Sequence, residues 1–516
     1  MNSNIALGIT QVESAKGDVK TRAEYRREKA NIRKKEQRAS KSAGYQASKT
    51  VKALREGTMS YEDMAEAIET VKKNLVAHTW RDLEANGTFD HDKKLTFIKE
   101  DMLIIGCDIG SETHYFRAVD SKGIELGKKA VSFPNSEEGF KGFKDWAVDL
   151  SVKNGKTQIV LGLEPTGHYW FTIAHWMIKN GITVVQVNPY AVKCTKEVAD
   201  NSQNKDDQKD PKVIAELVKN GNYGMPYLPE GVHAELRGLS RYRDQLMEDR
   251  TRAVNRLHRE IKIHFPEYKD AFGDIDGVFS LKLLREAPMP DDILALGEEG
   301  VKGIWKAAGL KGRGYQKAKT VVDAARHSIG IKDSIVAGRM AAKRFAGQIL
   351  ELSEEITKVE ALIQEKCEEI PNATNILEIR GIGNDILGGV LAELGDISRF
   401  DSTKEIQKLS GLGLVANSSG KHEGQTKISK RGRKRLRYWL YQGAMSVVSH
   451  ADEFREIHTY YTTRAENPLK KMQSLIAIAC KLLRIIYVML KTGVNYNPTK
   501  LLSDIKRPDG SKMKIA

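Results

Sequence analysis

The stretch from Asn204 to Leu217, NKDDQKDPKVIAEL, sets Asp206, Asp207 and Asp210 within five residues, just ahead of a short apolar helical pattern. Carboxylates gathered this closely repel one another and are costly unless a cation neutralises them. Their hard oxygens suit Mg²⁺ or Mn²⁺, ions that organise an in-line attack at phosphorus. A plainer reading stands beside that one. Asp before Pro is a common helix start, with Asp as N-cap and Pro at the first helical position, and Lys205 and Lys209 would make the run a solvated turn. Two further acids shift the balance: Asp108 and Glu164 each close an apolar run, MLIIGCD and QIVLGLE.

Those runs read as strands. MLIIGCDIG is a buried strand, His114 to Val119 and Ile124 to Phe133 follow it, and Ser121-Lys122-Gly123 is the turn between them. A helix over 137–153 leads to the strand ending at Glu164; a helix over 168–179 leads to a buried strand over 182–188. A three-strand meander followed by alternating helix and strand is the order of a ribonuclease-H-like sheet. In an open sheet the carboxyl ends of neighbouring strands gather at one edge, where ligands bind. Asp108 and Glu164 would meet there, with Asp207 and Asp210 arriving on the next helix.

Beyond Pro229 the pattern turns helical. Leu236, Leu239, Leu246, Leu257 and Ile261 stripe one long Arg-rich helix; Phe345, Ile349, Leu352, Ile356, Val359 and Ile363 recur at alternating spacings of four and three, a coiled-coil seam. The two helices would pair with each other or with copies in a second subunit. Between them the insert 266–330 is unassigned, although Lys306, Lys311, Arg313, Lys317 and Lys319 would suit phosphate contact as well as a solvated helix end. Past Pro371, LEIRGIGNDILGGVLAELG places Gly381 and Gly383 between two apolar helices. That pattern fits a helix-hairpin-helix, whose glycines let backbone amides approach a phosphate, or a plain helical hairpin. A basic run follows, with Lys427, Lys430, Arg431, Arg433, Lys434, Arg435 and Arg437; helical spacing puts Arg433 and Arg437 on one side and Leu436 and Leu440 opposite. The SSGK just before it reads, on chemistry alone, as a flexible turn.

Lysine and arginine number 83 against 68 aspartate and glutamate, a formal charge of +15, which favours a polyanionic partner. The excess is uneven: Val19 to Glu56 holds thirteen Lys or Arg against four Glu, a basic arm with too few apolar residues to form a core. Ser60 then opens a helix with Asp63 three residues on and an apolar stripe through Ile68, Val71 and Leu75. Four scattered cysteines suggest a reducing compartment and no zinc knuckle. The N-terminus lacks a signal-type apolar core, and Leu475 to Leu490, interrupted by Lys481 and Arg484, reads as a buried helix. The expectation is a soluble cytoplasmic protein with no membrane partner.

CDIGSETHYFRAVD, LEPTGHYW, VNPYAV and the D-x-x-D before VIAEL resemble the Piv/DEDD family of bacterial insertion-sequence transposases, recombinases guided by a bridge RNA. The resemblance covers about 102–265 and 372–490. It carries Asp108, Glu164, Asp207 and Asp210 onto the family's metal-binding tetrad, with Asp206 as rival to Asp207 because Pro211 stands where the family usually has Ala. It also marks Ser419, before Gly420, as the nucleophile, with Ser418 as rival. The implied organisation is a basic extension (1–98), a RuvC-like catalytic domain (99–230), a helical coiled-coil region with the insert (231–370) and a helical transposase domain with the helix-hairpin-helix and the serine (371–516). The implied activity is DNA cleavage and strand exchange through a 5′-phosphoserine link, with Mg²⁺ or Mn²⁺ as cofactor and carboxylates and serine forming one composite site. Donor and target DNA and a structured guide RNA would be partners of a nucleoid-associated dimer or tetramer. Lys427, Lys430, Arg431, Arg433, Lys434, Arg437, Gly381 and Gly383 would contact nucleic acid. The alternatives are a junction-resolving nuclease using the same acids, and a binding protein with a disabled site.

Overall fold

The computed structural model describes residues 60–77, 91–127, 129–165, 167–200, 210–309, 314–415, 418–419, 422–423 and 426–503. The basic arm, Asp206 and Asp207 lie outside them. The chain divides between Leu228 and Pro229 into two compact units.

The first unit opens with α1 (Tyr61–Asn74), held by the reciprocal Ser60–Asp63 capping box, and α2 (His91–Phe97). Then come β1 (Met102–Ile109), β2 (Thr113–Val119), β3 (Val131–Pro134), α3 (Glu137–Lys153), β4 (Gln158–Leu163), α4 (Trp170–Lys179), β5 (Thr183–Val187), α5 (Pro189–Asp200), α6 (Asp210–Lys219) and β6 (Tyr223–Gly224). The sheet order is β3-β2-β1-β4-β5-β6: an antiparallel meander, two parallel steps and an antiparallel edge. This mixed sheet is consistent with a ribonuclease-H-like domain. The strand expected over 124–133 is shorter. Only Val131–Pro134 pairs, with an isolated bridge from Glu125 to Val119, because the intervening Gly127 and lysines give a strand nothing to bury.

Period-two alternation decides which helices cover which face. Leu103, Ile105, Cys107 and Ile109 point into one core with α1, α3 and α4; Met102 and Ile104 point into the other with α5 and α6.

The second unit is almost wholly helical. The 34-residue α7 (Gly231–His264) leads to the insert helices α8 (Tyr268–Ala271), α9 (Val278–Glu286), α10 (Pro290–Ala307) and α11 (Gly314–Arg326), and α12 (Ile335–Glu368) returns. α7 and α12 pair with each other, antiparallel: Arg243 reaches Glu360 (2.6 Å), Arg250 reaches Ser353 (3.0 Å) and Arg256 lies over the Phe345 ring. The apolar seam is therefore used inside the chain. A short 3₁₀ turn (Thr374–Glu378) precedes α13 (Asn384–Leu394) and α14 (Thr403–Leu409). Four two-residue strands follow, β7 (Leu414–Val415), β8 (Ser418–Ser419), β9 (His422–Glu423) and β10 (Lys427–Ile428). The chain ends in α15 (Lys434–His450), α16 (Asp452–Thr463), α17 (Lys471–Thr492) and α18 (Pro498–Leu502). By length and composition α17 could cross a membrane, but Ile478, Leu482, Ile486 and Leu490 are buried in the core with α13 and α15.

Candidate active site

The geometry around Asp108 begins with two glycines. Gly106 of β1 and Gly162 of β4 face each other across the parallel ladder. A methyl group on Gly106 would overlap the Pro211 carbonyl oxygen and lie 2.7 Å from the Ala215 nitrogen; one on Gly162 would overlap the Val218 side chain. The bare backbone thus forms a floor on which α6 lies directly. Asp108, two residues past Gly106, shares that face of the sheet with α5 and α6. The last ladder pair is Cys107–Leu163, so Asp108 and Glu164 each come one residue later, at the carboxyl ends of two neighbouring parallel strands about 4.8 Å apart. Both are partly exposed.

Asp210 is the first residue of α6 and only 5% exposed. Pro211 sits in the first turn, where its missing N–H costs nothing. The Asp210 carboxylate is met by the Lys196 ammonium from α5. Lys212, one residue past Pro211, turns instead toward Glu125 (3.6 Å), which also holds Arg117 (2.7 Å). Burial, and secondarily the Asp108 charge, push the Cys107 thiol well above its ordinary pKa, which disfavours the thiolate. Burial lowers the pKa of the fully enclosed His114 beside the same strand end, which keeps that ring neutral.

Among the described residues no three Asp, Glu, His or Cys side chains converge closely enough to hold a metal ion. The donor chemistry of the described acids nevertheless fits a hard divalent cation: carboxylates at the ends of two neighbouring strands, and a buried carboxylate already satisfied by a positive charge.

The serines lie in the second unit, on an antiparallel arm. Ser419 pairs with His422 and Ser418 with Glu423, while at the base Val415 pairs with Lys427 and Leu414 with Ile428. The base is anchored by the Ser429 amide on the Gly413 carbonyl (2.8 Å) and the Arg433 amide on the Leu409 carbonyl (2.7 Å). The basic run beside it divides into two kinds. Lys427, Lys430, Arg431 and Lys434 are exposed. Arg433 donates to the Glu393 carbonyl, Arg437 to the Ser410 carbonyl (2.8 Å), and Arg435 pairs with Asp244 (3.1 Å). These three guanidinium groups brace the fold, a role that spacing along a helix could not reveal.

The two glycines expected in a helix-hairpin-helix also differ. The element before them is a five-residue 3₁₀ turn, shorter than the expected apolar helix. Gly381 (φ +99°) packs against α15, where a Cβ would lie 2.9 Å from the Ser446 carbonyl oxygen, and its own carbonyl accepts from Ser446 Oγ (2.6 Å). Gly383 is exposed at the N-cap of α13, with no side chain capping the helix. In the insert, 310–313 lie outside the described residues and Lys317 sits over the Phe272 ring.

A transposase family model of the IS110 DEDD type matches residues 105–266, from within β1 to just past α7, and a second, described as transposase IS116/IS110/IS902 family, matches residues 373–461. In both regions the chain is similar to the IS116/IS110/IS902 transposases. The first match contains Asp108, Glu164, Asp210 and the glycine floor; the second contains the serine arm and α15. The chain is 24% identical over 412 residues to an IS116 insertion-element 44.8 kDa protein of Streptomyces clavuligerus, covering 78% of this chain and 97% of the relative. It is 28% identical over 303 residues to an IS900 42 kDa protein of Mycobacterium paratuberculosis (57% and 74%) and 20% identical over 404 residues to the transposase of IS1111A from Coxiella burnetii (78% and 94%). The two matches and these relatives support a transposase function for the chain.

Proposed function

We propose that this transposase cuts and rejoins DNA by metal-assisted phosphoryl transfer through a serine link, at sites chosen by pairing with a structured guide RNA, acting as a dimer or tetramer. The observation that supports the proposal is the position of Asp108 and Glu164, one residue past the Cys107–Leu163 pair on neighbouring parallel strands, with α6 laid over Gly106 and Gly162 so that Asp210, its first residue, lies over the same sheet. Asp108, Glu164, Asp207 and Asp210 would hold Mg²⁺ or Mn²⁺, which when bound supplies positive charge to a phosphate. Ser419 Oγ, with Ser418 as rival, attacks phosphorus and gives up its proton to solvent; an O–P bond to serine forms, the bond to the 3′-oxygen breaks, and that oxygen takes up a proton from solvent and leaves as a free 3′-hydroxyl. Exposed Lys427, Lys430, Arg431 and Lys434 supply a backbone-binding face beside the arm, and the uncapped N-terminus of α13 at Gly383 offers backbone amides.

Covalent trapping tests the reading. The full chain is co-expressed with the non-coding flanks of its element and given nicked DNA with Mg²⁺. Denaturing gels should show a DNA-linked protein band that is lost in Ser419→Ala and kept in Ser418→Ala. The reverse pattern would move the nucleophile to Ser418. Metal-dependent cutting with no adduct in any variant would replace the recombinase by a junction-resolving nuclease that uses water.

A further inference from the structure

Asp210 poses a question that the proposed chemistry leaves open. A carboxylate 5% exposed is costly when uncompensated, and before a metal binds something must hold it. The compensating charge comes from Lys196, fourteen positions earlier in the chain and on a different helix, α5. We infer that Lys196 stands in for the divalent cation: it neutralises Asp210 while the site is without metal, and gives up the carboxylate when the metal arrives. This rests on the reading of Asp210 as a metal ligand.

Three features make Lys196 suited to a removable charge. Its side chain is 26% exposed against 6% for that of Asp210, so the ammonium has a path back to water while the carboxylate does not. Lysine carries a compact charge on a flexible four-carbon stem and makes none of the forked, paired bonds by which arginine grips a carboxylate. Finally, α6 does not depend on this ion pair for its seat. It is set on the Gly106–Gly162 floor and held by Val213, Ile214 and Leu217 in the core. Lys196 is anchored in turn by its own helix, whose Val192 is buried in that same core. When the ammonium withdraws, neither helix has to move. The consequence is competition: the same contact that neutralises Asp210 in the metal-free protein weakens its grip on the metal.

The test uses the full chain as wild type, Lys196→Met, Lys196→Arg and Asp210→Asn. Mn²⁺ affinity is measured by calorimetry, and thermal melting in EDTA and in excess Mg²⁺. Wild type should bind Mn²⁺ and melt higher with Mg²⁺. Lys196→Met should melt lower than wild type in EDTA, recover most of that deficit in Mg²⁺, and bind Mn²⁺ about tenfold tighter, about 1.4 kcal/mol. Lys196→Arg should keep the EDTA melting point and bind Mn²⁺ more weakly, and Asp210→Asn should lose the Mg²⁺ effect. If Lys196→Met binds Mn²⁺ with wild-type affinity and its melting deficit is the same in both buffers, the ion pair is a structural bridge only; the inference fails while the metal reading stands. If wild type shows neither Mn²⁺ binding nor a Mg²⁺ shift, the metal reading falls and takes the inference with it. Should Lys196→Met not fold, Lys196→Arg decides: undiminished Mn²⁺ affinity there overturns the inference.

Discussion

Arg437 and Lys434 stand three residues apart in one basic run and do different work. Arg437 donates to the Ser410 carbonyl and, more weakly, to that of Lys430 (3.4 Å), tying the base of the serine arm to the first turn of α15. Lys434 points into solvent. Replacing Arg437 by Ala should cost about 2 kcal/mol of stability, the scale of charge-assisted hydrogen bonds to otherwise buried carbonyls, read as a fall in the denaturation midpoint. Lys434→Ala should leave that midpoint within about 0.5 kcal/mol and reduce the slope of log affinity for DNA against log salt by about 1, read by anisotropy across a salt series. An unchanged slope would remove Lys434 from the nucleic-acid face. At this scale the sequence was a partial guide. Asp108 and Glu164 were legible because each closes an apolar run, and these runs form the neighbouring parallel strands β1 and β4. The Lys196–Asp210 pair was not, because it depends on how α5 packs against α6, and no local spacing encodes that.

Between strand and helix, the glycine floor is what sets the candidate site. A glycine inside a strand signals close approach of another backbone, but Gly106 and Gly162 read in the sequence only as parts of apolar strands, and the helix that lands on them was not legible. Gly106→Ala should raise α6 from the sheet and cost about 3 kcal/mol, the upper range for overpacking a tight core. Because the displaced turn carries Asp210, metal-dependent DNA cutting should fall further than the loss of folded protein explains. Cutting that tracks the folded fraction alone would show that the seat of α6 does not matter to the chemistry. The long helices give a parallel lesson. The spacing of Ile349, Ile356, Val359 and Ile363 identified an apolar seam, but a seam does not name its partner. The charges and rings beside it do: Arg243 with Glu360 and Arg256 with Phe345 fix the antiparallel register to α7.

Across the second unit as a whole, two separate cores share one helical pair. Leu236 and Leu246 of α7 and Ile356 and Val359 of α12 belong to the core with α13, α15 and α17, while Leu257 and Ile261, with Ala342 and Ile349, belong to the core of the insert. Between them Arg250 forms a polar seam with Ser353 and Asp276 (2.8 Å). The cores should therefore lose structure independently. Leu283→Ala, in the fully buried insert core, should cost about 3 kcal/mol and speed amide exchange in α9, α10 and α11 while leaving α13 and α15 at wild-type rates. Equal acceleration in both regions would mean one cooperative body. The insert was unassigned from sequence because its core is completed by the ends of α7 and α12, so that neither the insert nor the helices look self-sufficient alone.

The neighbouring ends of that insert bear on how such a chain can change length. The Ile331 amide meets the Ile263 carbonyl at 2.9 Å, so the strand of chain that leaves α7 comes back to its own doorstep before entering α12. Residues can be added or lost in between without redirecting either helix, since closing a loop whose ends already touch adds only a slowly growing entropic cost. Neither family match extends into this segment beyond residue 266, and the second starts only at 373. The tip of the helical pair is where this chain could gain or lose residues while the strands that end at Asp108 and Glu164 and the serine arm stay as they are.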